Sequence, residues 1–140
     1  MLHEIFKGMD NAAEQINENF LKGSIVEDNL DETNPKNGYY VRFGNGFQLC
    51  WGEVRASYYN SSNLDGRWTL PAEFINDRYF ADAVNLDIPT SNNNSEARMS
   101  ETATYVRNTN NTSFRKIAPV NTFASGDYVD LLVFAFGKYK

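Results

Sequence analysis

The first part of the chain has apolar residues at helical spacing. Asp10 and Asn11 are good N-cap residues and Gly23 is a natural stop, so the pattern predicts a helix of about three turns between them. Apolar side chains recur four, three and four residues apart, which places them on one stripe of that helix. The stripe consists of Met9, Ala13, Ile16 and Phe20.

A stripe of this kind needs a partner. Isolated helices shorter than roughly 12–15 residues are marginal in water, so the apolar side of this one must be covered by other protein. Two partners are open: the body of the same chain, or the same helix from neighbouring subunits. In the second case, the four residues of the stripe are the predicted oligomerisation residues.

From residue 38 onward the apolar period changes from 3.6 to 2. Residues 39–43 and 47–51 alternate in this way, and Gly44 and Gly46 between them provide the positive φ angles of a tight hairpin. Short strands separated by polar turns predict an antiparallel β-sandwich or barrel. The last strand is almost continuously apolar and is predicted to be central and buried on both faces. The further predicted strands are residues 54–57, 67–70, 79–88, 102–107, 112–118 and 127–137.

Charge divides the chain at about the same place. Residues 1–35 hold eight acidic and two basic side chains, net −6, whereas residues 36–140 hold ten acidic and eleven basic ones, net +1. The almost neutral body lacks the basic face that nucleic-acid binding requires. Residues 24–37 are acidic and contain a proline, which is typical of a linker. The predicted organisation is an N-terminal helix (1–23), an acidic linker (24–37) and a β-sandwich head (38–140).

Groups for catalysis or metal binding are scarce. His3 and Cys50 are the only residues of their types, so neither a Ser-His-Asp arrangement nor a zinc site is expected, and we predict no cofactor and no enzymatic activity. Cys50 lies in a strand pattern and is predicted to be a small buried hydrophobe. A glycosidase remains an alternative, because the separation of two carboxylates is not visible in a sequence. No apolar run approaches 18 residues, so no membrane span is expected.

Saccharide binding is the chemistry that the body favours most. Such sites combine aromatic faces with amides, carboxylates and guanidinium groups that bind hydroxyls. Residues 58–68 hold all of these in one predicted loop, although a core position for the tryptophan is the competing interpretation. Residues 92–98 form a second, weaker candidate, and residues 108–111 are predicted to be a turn. The predicted saccharide-binding residues are Tyr58, Tyr59, Asn63, Asp65, Arg67 and Trp68.

Two segments resemble known protein families. Residues 6–17, Phe-Lys-Gly-Met-Asp-Asn-Ala-Ala-Glu-Gln-Ile-Asn, resemble the N-terminal signature of baseplate and tail-tip receptor-binding proteins of phages that infect lactic acid bacteria and related Gram-positive hosts. The body is similar to the C-terminal heads of phage tail fibres in its strand pair 38–43 and 47–52, in residues 68–74 and in the apolar strand that ends at Gly137. Larger members place a shaft or shoulder between helix and head, which this chain replaces with its short linker.

The resemblance implies a phage receptor-binding protein. It implies a homotrimer whose helices gather around a three-fold axis and attach to other tail or baseplate proteins, and whose heads bind host cell-wall polysaccharide. The expected location is the virion tail, reached from the host cytoplasm without a signal peptide. The alternative is a structural tail or baseplate subunit that contacts only other virion proteins.

Overall fold

The computed structural model describes residues 12–13, 23–86, 101–119 and 121–140. Within these ranges the chain forms eight strands, and every pairing between them is antiparallel. The prediction of a mainly β, antiparallel fold is therefore confirmed. The strands are β1 (Ile25–Asp28), β2 (Tyr39–Phe43), β3 (Phe47–Asn60), β4 (Asn63–Thr69), β5 (Phe80–Asn85), β6 (Glu101–Asn108), β7 (Asn111–Ile117) and β8 (Tyr128–Lys138).

Strand β3 is long enough to belong to two half-sheets. One of its edges pairs with β8 along residues 47–57, while the other edge pairs first with β2 and then with β4. The first half-sheet has the order β1-β2-β3-β8-β5, and the second has the order β3-β4-β7-β6. Strands β5 and β6 also contact each other, so the two half-sheets approach at that end as well.

One face of each half-sheet contributes to a single apolar core. Alternate residues of β3, β4, β7 and β8 point into it, as the period of two requires. Cys50 is fully buried, and burial raises the pKa of its thiol to about 12, which makes it the small buried hydrophobe that was predicted. The main core residues are Cys50, Ala56, Leu64, Trp68, Phe114, Val129, Leu131, Val133 and Ala135.

The strand predictions were right where the pattern was local. The hairpin is confirmed, because β2 and β3 pair around a turn that contains Gly46 at φ +93°. The positive φ predicted for Gly44 is wrong. The closing strand β8 is central, as expected, since it lies between β3 and β5. It is not buried on both faces: its residues alternate, and Leu132 on its outer side is 39% exposed. The separate strands predicted at residues 47–51 and 54–57 are one strand, because β3 runs from Phe47 to Asn60.

The acidic segment 24–37 contributes a strand to the sheet. Strand β1 pairs with β2, and Glu27 accepts hydrogen bonds from the Tyr40 hydroxyl at 2.9 Å and from Arg42 Nη1 at 3.0 Å. Both bonds lower the pKa of the Glu27 carboxyl, and the bond from Tyr40 has the larger effect. Glu27, one of the acidic residues that indicated a linker, therefore belongs to the sheet and is bound to side chains of β2. The division into helix, linker and head stays a prediction.

Most of the predicted oligomerisation stripe lies outside the described residues. This holds for Met9, Ile16 and Phe20, and also for the candidate loop 92–98. Ala12 and Ala13 have helical backbone and exposed side chains. In the described part of the chain, no helix is long and apolar enough to cross a membrane.

A buried lysine joins the two edge strands β5 and β6. Lys116 is 0% exposed, and its Nζ donates hydrogen bonds to Asn85 Oδ1 at 3.0 Å and to Thr102 Oγ1 at 2.9 Å. Burial disfavours the charged ammonium, so it lowers the pKa of Lys116 from 10.5 to about 8. Keeping this group charged at neutral pH therefore opposes folding.

We expect stability to rise with pH between about 8 and 10.5 because of Lys116. In that window the unfolded chain still holds a proton that the folded chain has released, so raising the pH favours the folded state. The gain is on the order of 2–3 kcal/mol in the free energy of unfolding. Urea unfolding of the wild type and of Lys116→Met at a series of pH values measures it, since the variant should lack this contribution. Equal slopes for the two proteins across the window would contradict the prediction.

Candidate functional site

The six predicted binding residues are divided between the core and the surface. Trp68 is 2% exposed, and its Nε1–H donates to the Asn37 carbonyl oxygen at 2.8 Å. Both faces of its ring are packed by protein, so it occupies the core position that the sequence left as the competing interpretation. Tyr58 and Tyr59 are 39% and 62% exposed, while the Asn63 side chain closes the turn by donating to Asn60 Oδ1 at 2.8 Å.

Asp65 and Arg67 lie on the outer face of the second half-sheet. The register pairs Asp65 with Arg115 and Arg67 with Ser113 on β7, and Ser113 with Tyr105 on β6. Opposite residues of paired strands project to the same face, so these side chains form one surface. The predicted loop 58–68 is therefore mostly strand, with a tight turn at residues 61–62.

Arg115 connects the predicted residues on this surface. Its Nε donates to Asp65 Oδ1 at 3.1 Å, and its guanidinium carbon lies 5.2 Å from the ring centroid of Tyr59. The hydrogen bond to Asp65 raises the pKa of Arg115, which keeps this guanidinium charged. Tyr59, Arg115 and Asp65 thus form an aromatic, cationic and anionic triplet, here named triplet A.

A second triplet of the same composition lies on the first half-sheet. Arg55 Nε donates to Asp130 Oδ1 at 2.8 Å, Arg55 Nη2 donates to Asp130 Oδ2 at 3.2 Å, and the guanidinium carbon lies 3.9 Å from the Tyr128 ring centroid. The hydrogen bond to Asp130 raises the pKa of Arg55. Tyr128, Arg55 and Asp130 are named triplet B.

The two triplets share one outer surface. Ser57 of β3 pairs with Asp65 of triplet A on one edge and with Tyr128 of triplet B on the other. Since paired residues share a face, the triplets lie on either side of Ser57. Tyr105 and Arg107 extend the surface along β6, with the Arg107 guanidinium carbon 5.0 Å from the Tyr105 ring centroid.

This surface suits hydroxyl-rich ligands. Tyrosine rings provide flat apolar faces and phenolic hydroxyls, and charged carboxylates and guanidinium groups provide acceptors and forked donors. Each guanidinium is held between a ring and a carboxylate, so its orientation is set before a ligand arrives. The arrangement can bind pairs of hydroxyls beside an aromatic platform.

Sequence reasoning missed most of these side chains because they are distant along the chain. Arg55 and Asp130 are 75 positions apart, and Asp65 and Arg115 are 50 apart. A local signal existed in the Tyr-x-Asp order at residues 128–130 and the Tyr-x-Arg order at residues 105–107, which mark a polar outer face of a strand.

A concave pocket lies elsewhere on the first half-sheet. Its volume is about 450 Å³, and Tyr39 and Trp51 stack in its wall with ring centroids 5.8 Å apart. Lys36 and Glu53 bring one charge of each sign to its lining. This pocket is a second aromatic candidate for ligand binding, in addition to the triplet surface. None of the six predicted residues lines it.

No metal centre forms among the residues that the structure describes. In these parts of the chain no three His, Cys, Asp or Glu side chains converge closely enough to hold an ion.

Structural comparison matches this arrangement of strands to tail fibres. The structure of an N-truncated R1-type pyocin tail fibre matches with a TM-score of 0.56 and 13% identity, over 89% of this chain and 95% of that one. The chain shares its fold with a pyocin tail fibre. A longer part of the same kind of fibre, the C-terminal part of the P. aeruginosa R1 pyocin fibre, matches with a TM-score of 0.50 and 13% identity over 72% of this chain. This chain covers 26% of the length of that C-terminal part.

The tail-fibre fold confirms the broader of the two resemblances. The similarity of the body to tail-fibre heads is supported by both structures, whereas the resemblance to receptor-binding proteins of Gram-positive hosts is not supported by them. No protein-family model and no curated protein matches this chain. At this level of identity the comparison shows the fold alone.

Proposed function

We propose that this chain is the head of a phage or prophage tail fibre that attaches to saccharide on the surface of a host bacterium. The observation that carries the proposal is the tail-fibre fold, which spans almost the whole of the R1-type fibre fragment. On that fold, triplets A and B provide aromatic, anionic and cationic groups on one exposed surface. The proposed ligand is a cell-wall polysaccharide, and the proposed location is the virion tail.

The proposed assembly is a homotrimer bound to other tail proteins. A trimer would carry three copies of the surface, and a repetitive polysaccharide can engage several of them together. Weak single sites then give strong attachment, because the second binding event is intramolecular. The surface of triplets A and B therefore need not be a deep pocket.

We expect the variant Arg55→Met/Arg115→Met to lose at least about tenfold in adsorption to host cells and to isolated wall polysaccharide. Methionine keeps an apolar stem but removes the forked donors and the charges that orient the two carboxylates. Arg78→Met is a matched control, because Arg78 is a surface arginine with 88% side-chain exposure and an ion pair to Asp77. Retention of purified protein on Gram-positive and Gram-negative cells and on their polysaccharides measures the effect and identifies the host class.

Two outcomes would count against the proposal. Wild-type adsorption by the double variant, with its fold intact by circular dichroism, would remove triplets A and B as the site. Failure of the wild type to adsorb to any cell or polysaccharide in the panel would favour the structural tail subunit. Release of reducing ends from the polysaccharide would instead favour a glycan-cleaving enzyme.

A further inference from the structure

The outer face of the first half-sheet carries a row of phenylalanine rings. Phe43, Phe47, Phe136 and Phe80 lie on β2, β3, β8 and β5, with successive ring centroids 5.9, 6.1 and 5.2 Å apart. We name this row the phenylalanine ladder. It crosses four adjacent strands on the side of the sheet that faces away from the core.

The ladder and its neighbours are unusually exposed for apolar side chains. Phe80 is 70% exposed and Phe47 is 38% exposed. Val84 and Leu132, which pair with each other on the same face, are 54% and 39% exposed, and Ile25, which pairs with Phe43, is 48% exposed. Covering these groups would remove apolar area from water, which is favourable, so the face has the character of a contact surface.

The size of the face fits a protein–protein interface. Together, the five exposed side chains expose on the order of 400–500 Å² of apolar area, counting each at roughly 150–200 Å² when fully exposed. They are Phe80, Phe47, Val84, Leu132 and Ile25. A standard interface buries about 800 Å² per partner, of which a little over half is apolar. Lys138 and Glu53 pair with Phe47 and Leu132 beside the apolar residues, as charges do at the rim of an interface. Asp82 lies between Phe80 and Val84 on the edge strand β5.

A helix of the same chain is too narrow to cover this face. Five strands about 4.8 Å apart extend about 19 Å from β1 to β5, whereas a helix with its side chains is about 10–12 Å wide. Ala13, which belongs to the predicted apolar stripe, is exposed rather than packed on the sheet. A second sheet of similar width matches the surface better.

The position of the ladder in the chain indicates which sheet that is. Ile25 begins β1 beside Phe43, so the segment for which the oligomerisation helix is predicted precedes the sheet at the first ring of the ladder. A helix that gathers copies of this chain would thus deliver those copies to the same face.

We infer that the phenylalanine ladder face, with Val84, Leu132 and Ile25, is the surface on which copies of this chain pack against one another. The inference deepens the proposed homotrimer by naming its contact surface. Triplet B lies on the same outer face of β3 and β8 as the ladder, with Asp130 two residues beyond Leu132, and Tyr128 and triplet A lie farther toward the Ser57 end. Copies joined at the ladder end leave that other end of the face open to a ligand. The head therefore contributes to assembly directly, in addition to any contribution from the N-terminal helix.

The test replaces the two most exposed ladder-face residues of β5 in the full chain. Sedimentation velocity should give the wild type a multiple of 15.9 kDa. Phe80→Asp/Val84→Asp should raise the concentration of half-dissociation at least about tenfold, because each copy would bury two new charges. Ile117→Asp is the control, since Ile117 is 39% exposed at the end of β7, away from the ladder. Circular dichroism checks the fold of each variant.

A labelling experiment provides a second measurement without new charge. Cys50 is buried, so Phe80→Cys would carry the accessible thiol among the described residues. Assembly should protect that thiol from maleimide and dilution should expose it, whereas the thiol of Ile117→Cys should react at both concentrations.

Three results would overturn the inference: a monomeric wild type, an unchanged mass for the folded double variant, or protection of the Phe80→Cys thiol in a monomer. The third would mean that a segment of the same chain covers the ladder. Adsorption is measured separately on the wild type. An assembled wild type that does not adsorb would refute the proposed function alone, and an adsorbing wild type whose double variant stays assembled would refute this inference alone.

Discussion

Replacing Trp68 with alanine is expected to lower the free energy of unfolding by about 3–5 kcal/mol. The indole is 2% exposed, packs near Phe114 with ring centroids 6.5 Å apart, and donates its N–H to the Asn37 carbonyl oxygen at 2.8 Å. Alanine would leave a large cavity and would also leave that carbonyl without this donor. Urea unfolding measures the loss, and Trp68→Phe should cost less because it retains most of the packing.

Tyr59→Ala is the matched comparison for Trp68→Ala. Tyr59 is 62% exposed, so its removal should change stability by less than about 0.5 kcal/mol, while it should weaken adsorption. The two variants should therefore affect different properties: Trp68→Ala lowers stability, and Tyr59→Ala lowers adsorption. A stable Trp68→Ala protein that fails to adsorb would show that the tryptophan is a ligand contact after all.

Replacing Gly38 with alanine is expected to cost about 3 kcal/mol or more. Gly38 has φ +94°, and an added Cβ would lie 2.2 Å from the carbonyl oxygen of Trp51 and 3.0 Å from Gly52 Cα. The obstacle is backbone of β3, which pairs with β2 immediately after Gly38, so neither side can move without breaking the sheet. The midpoint of thermal or urea unfolding measures the effect.

Gly46→Ala separates the two causes of that loss. Gly46 has almost the same φ, +93°, but its nearest contact for an added Cβ is the Lys140 carbonyl oxygen at 3.1 Å. It should therefore show mainly the cost of the left-handed backbone, roughly 1 kcal/mol. Equal losses for the two variants would contradict a role for the close approach of Gly38 to β3.

Predictions from sequence succeeded where neighbours along the chain decide the structure. The alternation of residues 39–43 and 47–51 around Gly44 and Gly46 predicted the β2–β3 hairpin, because strand period and turn chemistry are both local. The strands at 102–107 and 112–118 appear as β6 and β7 within one residue at each end, joined by the predicted turn. Burial of Cys50 followed from the same alternation.

Contacts between distant segments were not predicted. The sequence pattern divided residues 47–51 and 54–57 into two strands, yet Gly52 permits one strand β3 to pass close to Gly38, since an added Cβ would meet Gly38 Cα at 3.2 Å. The sequence also did not show that Glu27, in the acidic residues 24–37, pairs with Tyr40 and Arg42 on the next strand. The core position of Trp68, which was the competing interpretation, depends in part on its carbonyl partner Asn37, which is 31 positions away.

The apolar period and the turn residues were enough to predict the mainly β, antiparallel class, the β2–β3 hairpin and the place of the closing strand, because both act over a few positions. They could not predict which tyrosines, arginines and aspartates meet, or which phenylalanines form an exposed row. Those groupings depend on the pairing of β3 with β8 and of β4 with β7, which brings together residues that are 50 or more positions apart. Strand pairing of this range is set by the packing of the whole core, and no short stretch of the chain contains it.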